Sequence, residues 1–313
     1  MKKVLLIITI LLLSCSTKEQ VDIGLLPKDE MHFQKMIIRQ LSGEDPIKTV
    51  AGKSLYLNSR WDTEEREVSR KYFEALFNQL GVTPYRHYYT MPNSNLGIDF
   101  LIEPLKGVNI YTILPSTNGS EEYVILGAHY DTDGKNFPGA LDNGSGVSLI
   151  TSVLRRATEI KHRHKNLMVV YFDQEEENIS AGSIAFAKFL KAREYDVHSV
   201  HSYDLIGWDG DNNKEIELER PGAAIAHIYK KHANRLGIPI YVTKATSSDF
   251  YSFIKAGINA VGISQAISKG DTSGKKDSPA DTYHLVNFEY LASSSQLAFE
   301  VIKELLHDQS NTK

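Results

Sequence analysis

A single cysteine in 313 residues excludes an internal disulfide framework. That residue, Cys15, closes an apolar run from Val4 to Leu13 that follows the basic pair Lys2-Lys3. A basic start, a short apolar stretch and a small-residue junction make a secretory signal, too short to span a bilayer. No later segment approaches the ~20 apolar residues of a membrane helix. An excess of positive charge is also missing: the net charge of −4 offers no footprint for nucleic acid. Internal repeats and low-complexity tracts are absent. What remains, 42% hydrophobic and 24% charged residues, is an ordinary globular composition. Its length suits one large α/β domain or two small ones.

The N-terminal segment resembles a bacterial lipoprotein signal, in which Cys15 would become the acylated first residue of the mature chain. An ordinary signal peptide with an incidental Cys15 is the alternative. The expectation is therefore a signal over 1–15, a tether and N-terminal extension over 16–45, and the folded domain over 46–313. An exported protein, anchored to the membrane through lipidated Cys15 on the periplasmic or outer-membrane face of the cell envelope, follows from the same resemblance.

Along the folded part, apolar residues at helical spacing predict a helix from Thr63 to Leu80, stopped by Gly81. Helices are also expected over Gly144–Glu159, Ala181–Ala192, Ala223–Leu236, Ser247–Lys255 and Phe288–Leu306. Strands are expected over Pro84–Tyr89, Val108–Leu114, Tyr123–His129, Leu167–Phe172, Val197–Ile206, Ile238–Val242 and Ala260–Ser264. The run Leu167–Phe172 is almost wholly apolar, as a strand buried on both faces should be. Strands alternating with helices imply an α/β three-layer sandwich, a central, mostly parallel mixed sheet with helices on both faces. Ligands in such folds bind outside the carboxyl ends of the strands.

The residues with chemistry fall at those ends. His129 closes one strand, and Asp131 two residues later could fix its second ring nitrogen. Asp142 lies in the turn Gly139-Ala-Leu-Asp-Asn-Gly-Ser-Gly146, Glu175-Glu176-Glu177 follows an expected buried strand, and Asp204 lies near the end of another. Each has a plainer reading. His129 could be a buried, hydrogen-bonded histidine, Asp142 a helix cap, and the glutamates a solvated turn. Together they supply what two divalent ions sharing a water require: a bridging carboxylate, terminal ligands and a base.

In order and together, these stretches resemble the co-catalytic zinc aminopeptidases, a family that also contains glutaminyl cyclases and glutamate carboxypeptidase. The matching segments are GVNI at Gly107, GAHYDT at Gly127, PGALDNGSGV at Pro138, FDQEEENISAGS at Phe172, DLIGW at Asp204, SSDFYSFIKAGINAVGIS at Ser247 and DSPADTYHLVN at Asp277. The resemblance implies two zinc ions, with His129 and Asp204 on one, Glu176 on the other and Asp142 bridging them. It makes Glu175 the general base acting on a metal-bound water, and Asp131 the partner of His129. Asp249 takes a supporting role, because Phe250 stands where the family has a histidine.

One ligand position departs from the family. Its last ligand is a histidine opening a His-Ser/Thr-Pro-x-Asp-Thr segment, and this chain has Asp277 there. An aspartate can bind zinc, and an oxygen-rich second site would lean toward manganese, cobalt or magnesium. The later His284 is the lesser substitute. Alternatively, Asp277 does not ligate and one ion binds tightly.

The activity implied is an exopeptidase acting on the N-terminal residues of a peptide substrate, with a monomer the expected state. A glutaminyl cyclase with one zinc, and a lipid-anchored binding protein without metal, are the alternatives. Metal content separates them: two ions per chain, one, or none. Loops 208–213 and 244–251 are the expected pocket lining, with Trp208, Phe250 and Tyr251 as pocket aromatics or core.

Overall fold

Residues 20–92, 103–176 and 180–308 are described by a computed structural model. Cys15, the signal segment and Glu177 lie outside the described residues.

The sheet is built from β4 (Pro84–Met91), β5 (Leu105–Leu114), β6 (Glu122–His129), β7 (Asn166–Phe172), β8 (Asp196–Tyr203), β9 (Ile216–Glu219), β10 (Ile240–Thr243) and β11 (Ala260–Gln265). A small three-stranded sheet of β1 (Val21–Asp22), β2 (Ile47–Thr49) and β3 (Ser54–Leu55) lies apart from it. The large sheet runs β10-β9-β11-β8-β6-β7-β5-β4. Its central strands β11, β8, β6 and β7 are mutually parallel, and antiparallel pairs flank them. The expected mostly parallel mixed sheet is thus present.

Alternation along the central strands divides the interior into two cores, because successive side chains point to opposite faces. Val124, Leu126 and Ala128 of β6 join Leu167, Val169 and Tyr171 of β7 on one face. Ile125, Met168, Val170 and Phe172 line the other. All seven residues of β7 are buried, as its unbroken apolar run requires. The first core is closed by α1 (Glu30–Leu41), α2 (Thr63–Gln79), α3 (Gly146–Thr158), α5 (Ala223–Leu236) and α7 (Phe288–His307). The second is closed by α4 (Ala181–Ala192) and α6 (Asp249–Lys255). Among the described residues, no helix is long and apolar enough to cross a membrane.

Three local departures from the sequence expectation have physical causes. Helix α1 falls in the stretch expected as an N-terminal extension, yet Phe33, Ile37, Ile38 and Leu41 form one stripe buried in the main core. Asp29 caps it by accepting from the His32 amide at 2.9 Å. The short strand β9 was not anticipated, because Ile-Glu-Leu-Glu reads as half-exposed. Glu217 is nevertheless buried there, its carboxylate accepting from Thr243 and Ser268. Helix α3 begins at Gly146 rather than Gly144, because Asp142 and Asn143 leave helical geometry within the turn Ala140–Ser145.

Candidate metal centre

The parallel register of β6 and β7 pairs His129 with Phe172, so His129 and the chain from Asp173 onward leave the sheet at the same edge. Strand β8, parallel to β6 on its other side, ends at Tyr203 and delivers Asp204 to that edge. The turn Ala140–Ser145 brings Asp142 across the top. The His129 Nε2 atom lies 3.2 Å from Asp142 Oδ1 and 3.3 Å from Asp204 Oδ1. Ligand-type atoms of His129, Asp142 and Glu176 lie within 4.8 Å of one another. The structure therefore brings together His129, Asp142, Glu176 and Asp204.

Asp131 locks this edge. Its Oδ1 lies 3.5 Å from His129 Nδ1, and its two oxygens accept from the backbone amides of Glu175 at 3.0 Å and Glu176 at 3.1 Å. One buried carboxylate thus faces the imidazole and fixes the backbone of both glutamates. Ser180 Oγ donates to Glu175 Oε1 at 3.1 Å, and Ser248 Oγ to Asp204 Oδ2 at 2.7 Å. Asp249 is fully buried near Glu175, and neither of its oxygens has a hydrogen-bond partner among the described residues.

Three residues of this region received no role from the sequence. Asp281 accepts from the amides of Leu141 at 2.8 Å and Asp142 at 2.9 Å, holding the turn that carries Asp142. Arg60 is completely buried behind the site. Its guanidinium donates to the carbonyls of Tyr130 at 2.5 Å, Leu41 and Pro138 at 2.6 Å, and Gly139 at 2.8 Å. It ties the segment after β6 to the turn before Asp142. Gly139 adopts a left-handed φ of 61° there, where a Cβ would strike Thr132 and Arg60. Lys276 is the third: its Nζ lies 3.5 Å from Asp142 Oδ2 and is hydrogen-bonded to Asp277 Oδ2. The only sequence signal for Asp281 was its place in the Asp277–Thr282 segment. An isolated arginine and a lysine among loop residues gave none.

Asp277, expected as a ligand of a second ion, pairs with Lys276 and is not in the close group of His129, Asp142 and Glu176. His284 is away from the site, 74% exposed and 3.7 Å from Glu44. Phe250 is buried and Trp208 packs against the main core. Tyr251 lies beneath the cations of Arg220 and Lys255.

So many carboxylates in one buried place disturb their own ionisation. Burial and the charges of Asp249, Asp204 and Asp131 raise the proton affinity of Glu175 well above the usual range, against the pull of His129. Burial and the Asp142 charge push Glu176 up to about 10, and burial takes Asp249 to about 7. Burial opposes the charged form of His129, yet the neighbouring carboxylates of Asp204, Asp131 and Asp142 lift its proton affinity well above normal. Asp204 is held low by His129 despite its burial. A site of this kind favours a bound cation, which relieves the repulsion among its carboxylates.

The comparisons with known proteins identify the family and the fold. The model of Peptidase family M28 matches residues 109–302. A probable leucine aminopeptidase of Arthroderma otae is 26% identical over 214 residues, covering 62% of this chain and 56% of that protein. The chain thus spans about half the length of that curated relative. Among solved structures, the zinc aminopeptidase BSAP of Bacillus subtilis has a TM-score of 0.75 at 15% identity, covering 93% of this chain and 98% of that one. Glutaminyl cyclase of Porphyromonas gingivalis has a TM-score of 0.70 at 15% identity, covering 88% and 98%. At such identities these two likenesses establish the fold.

Proposed function

The chain belongs to peptidase family M28, and from that premise we propose that it is a zinc-dependent aminopeptidase removing N-terminal residues from peptides. The observation that carries this reading is the approach of His129 Nε2 to the carboxylates of Asp142 and Asp204, with Glu176 beside them. The donor set fits a cation. Asp142 Oδ1 is buried without a hydrogen-bond partner, and one nitrogen with several carboxylate oxygens is a zinc-type set. His129, Asp142, Glu176 and Asp204 are the proposed ligands. At Asp277 a second ion, whether zinc, manganese, cobalt or magnesium, would meet the Lys276 ammonium, which already contacts Oδ2 of both Asp142 and Asp277, and only Asp277 Oδ1, buried without a hydrogen-bond partner, is left to it there.

When bound, zinc supplies Lewis acidity to the scissile carbonyl and the attacking water. The protein's own groups do the rest. Asp131 places its negative charge beside His129 Nδ1 and keeps the Glu175 backbone fixed. Glu175 takes the proton of the attacking water on a carboxylate oxygen and returns it to the leaving amine nitrogen. Ser180 holds that carboxylate in place. Export and anchoring through Cys15 belong to the same proposal and are supported by the sequence of the first fifteen residues alone.

Glu175→Gln tests the assignment. Turnover of aminoacyl-nitroanilides should fall about 10²–10⁴-fold, while zinc content by mass spectrometry stays unchanged. Near-full turnover would remove Glu175 as the base. Two features favour the glutaminyl cyclase reading, for which one ion is the expected content: the Lys276 ammonium beside Asp142, which leaves room for one ion, and the buried Asp249 near Glu175. With one ion, substrate rather than metal count separates the two readings. Ammonia release from N-terminal glutaminyl peptides without nitroanilide hydrolysis would put that reading first.

A further inference from the structure

We infer that Lys276 is a built-in cation of this site: its ammonium takes the place of a second metal ion, and the protein binds one ion per chain. The inference rests on the metal-site reading and sharpens it.

The geometry is that of a bridging carboxylate with two different cationic partners. Asp142 turns Oδ1 toward His129 Nε2 at 3.2 Å and Oδ2 toward Lys276 Nζ at 3.5 Å. The ammonium also holds Asp277 Oδ2, so it contacts both carboxylates that a second ion would need, and Asp277 Oδ1, buried without a hydrogen-bond partner, is the oxygen left to a competing ion. A protonated amine has three donors and no lone pair. It can neutralise Asp142 and Asp277 but cannot join them in ligating a metal. A divalent ion held by the same oxygens would have to lie against a like charge, in a partly buried place where screening is weak.

The loop that supplies Lys276 is fixed from its far end. Asp281 anchors it to the amides of Leu141 and Asp142, and the Asp281 amide donates to the Ser278 carbonyl at 3.1 Å. Lys276 and Asp281 therefore approach the Asp142 turn from one loop, the Asp281 carboxylate at the backbone amides of the turn and Lys276 at the Asp142 side-chain oxygen. The two side chains belong together. With a carboxylate at 277 in place of an imidazole, the adjacent ammonium balances the added charge and leaves the His129 side of Asp142 to the metal.

Metal stoichiometry tests this without reference to activity. The protein is stripped, reconstituted with excess zinc, dialysed and counted by plasma mass spectrometry, with calorimetric titration alongside. The unaltered protein should retain one zinc per chain. A Lys276→Met, Asp277→His double variant with an unchanged circular dichroism spectrum should retain two, and its titration should gain a second tight step. Two zinc ions in the unaltered protein would overturn the inference and leave the metal-site reading intact. One ion in both proteins would overturn the role of Lys276. No zinc in either would overturn both this inference and the proposed function. If the double variant does not fold, the count for the unaltered protein still decides, and Lys276→Gln, with a shorter neutral side chain, supplies the second comparison.

Discussion

Replacing Arg60 by methionine should damage the centre without touching any proposed ligand. The guanidinium donates to four carbonyls, those of Leu41, Tyr130, Pro138 and Gly139, and is wholly buried. Burial pulls its pKa down to about 10, while Asp281, Asp131 and Asp142 oppose that fall, so it remains charged at neutral pH. Methionine roughly keeps the length of the stem and removes every donor. Hydrogen bonds from a charged donor contribute about 1.5–3 kcal/mol each, and the desolvation of the guanidinium offsets part of their sum. Removing one partner of a buried charge network typically costs about 3–5 kcal/mol, which is the expected loss here.

That loss is a large part of the ~5–15 kcal/mol that holds a typical domain folded. At roughly 2 °C per kcal/mol for a chain of this size, the melting temperature should drop by about 6–10 °C. The Asp142 turn should loosen as well, weakening zinc about 10–100-fold, the usual effect of losing a group that orients ligands. Urea unfolding at pH 7 and calorimetric zinc titration read the two effects separately. Arg60→Lys, which keeps the charge but cannot reach all four carbonyls, should fall between. A Met variant within about 1 kcal/mol of the parent and with unchanged zinc affinity would refute the argument, since that is less than one charged hydrogen bond.

Two further outcomes are expected. In metal-free protein, Glu175, Glu176 and Asp249 bind protons more tightly folded than unfolded. The folded state therefore carries more protons than the unfolded one above about pH 4, and stability falls as pH rises from there through neutrality. Melting curves from pH 5 to 8 should show this decline, and saturating zinc should flatten it; a metal-free midpoint that rises with pH would contradict the assignment. Gly182→Ala should cost at least about 2 kcal/mol, the scale of overpacking a close contact. A Cβ there strikes the Asp173 carbonyl and the side chain of Asn109, and Asn109 Nδ2 donates to the Gly182 carbonyl at 2.9 Å. An unchanged midpoint in urea would show that α4 can shift away from β7 freely.

The central sheet was legible because its signals are local. The unbroken apolar run of β7 and the helical stripe of α2 can be read without knowing their neighbours. The convergence of the proposed ligands at strand ends, His129, Glu176 and Asp204, was legible for the same reason, since a parallel sheet sends consecutive strand ends to one edge. Asp131 could be assigned to His129 from its spacing, although its grip on the Glu175 and Glu176 amides depends on the pairing of β6 with β7. The rest was not local. Glu217 is buried because Thr243 and Ser268 meet it there, and Arg60 matters through carbonyls up to 79 residues away. His201, a polar residue on the strand leading to Asp204, is buried against Tyr229, and burial lowers its pKa to about 3.

The same distinction explains why one side of the centre resembles the family closely and the other does not. His129, Asp204 and Glu176 hang from sheet strands, whose positions are fixed by two packed cores. A change at any of them leaves carboxylates buried without their partner, which is costly. Asp277 and Lys276 sit on a half-buried loop anchored by Asp281, and the Asp281 contacts are to backbone amides. Those contacts do not depend on the identity of residues 276 and 277. The loop keeps its place while its side chains change, so an imidazole and a metal ion can be exchanged there for a carboxylate and an ammonium. Arg60, Asp281 and Asp131 hold the Asp142 turn and the Glu175 backbone whichever cation occupies that side. The acid–base geometry of Glu175 is therefore separable from the number of metal ions, and a one-ion centre can retain the base of a two-ion one.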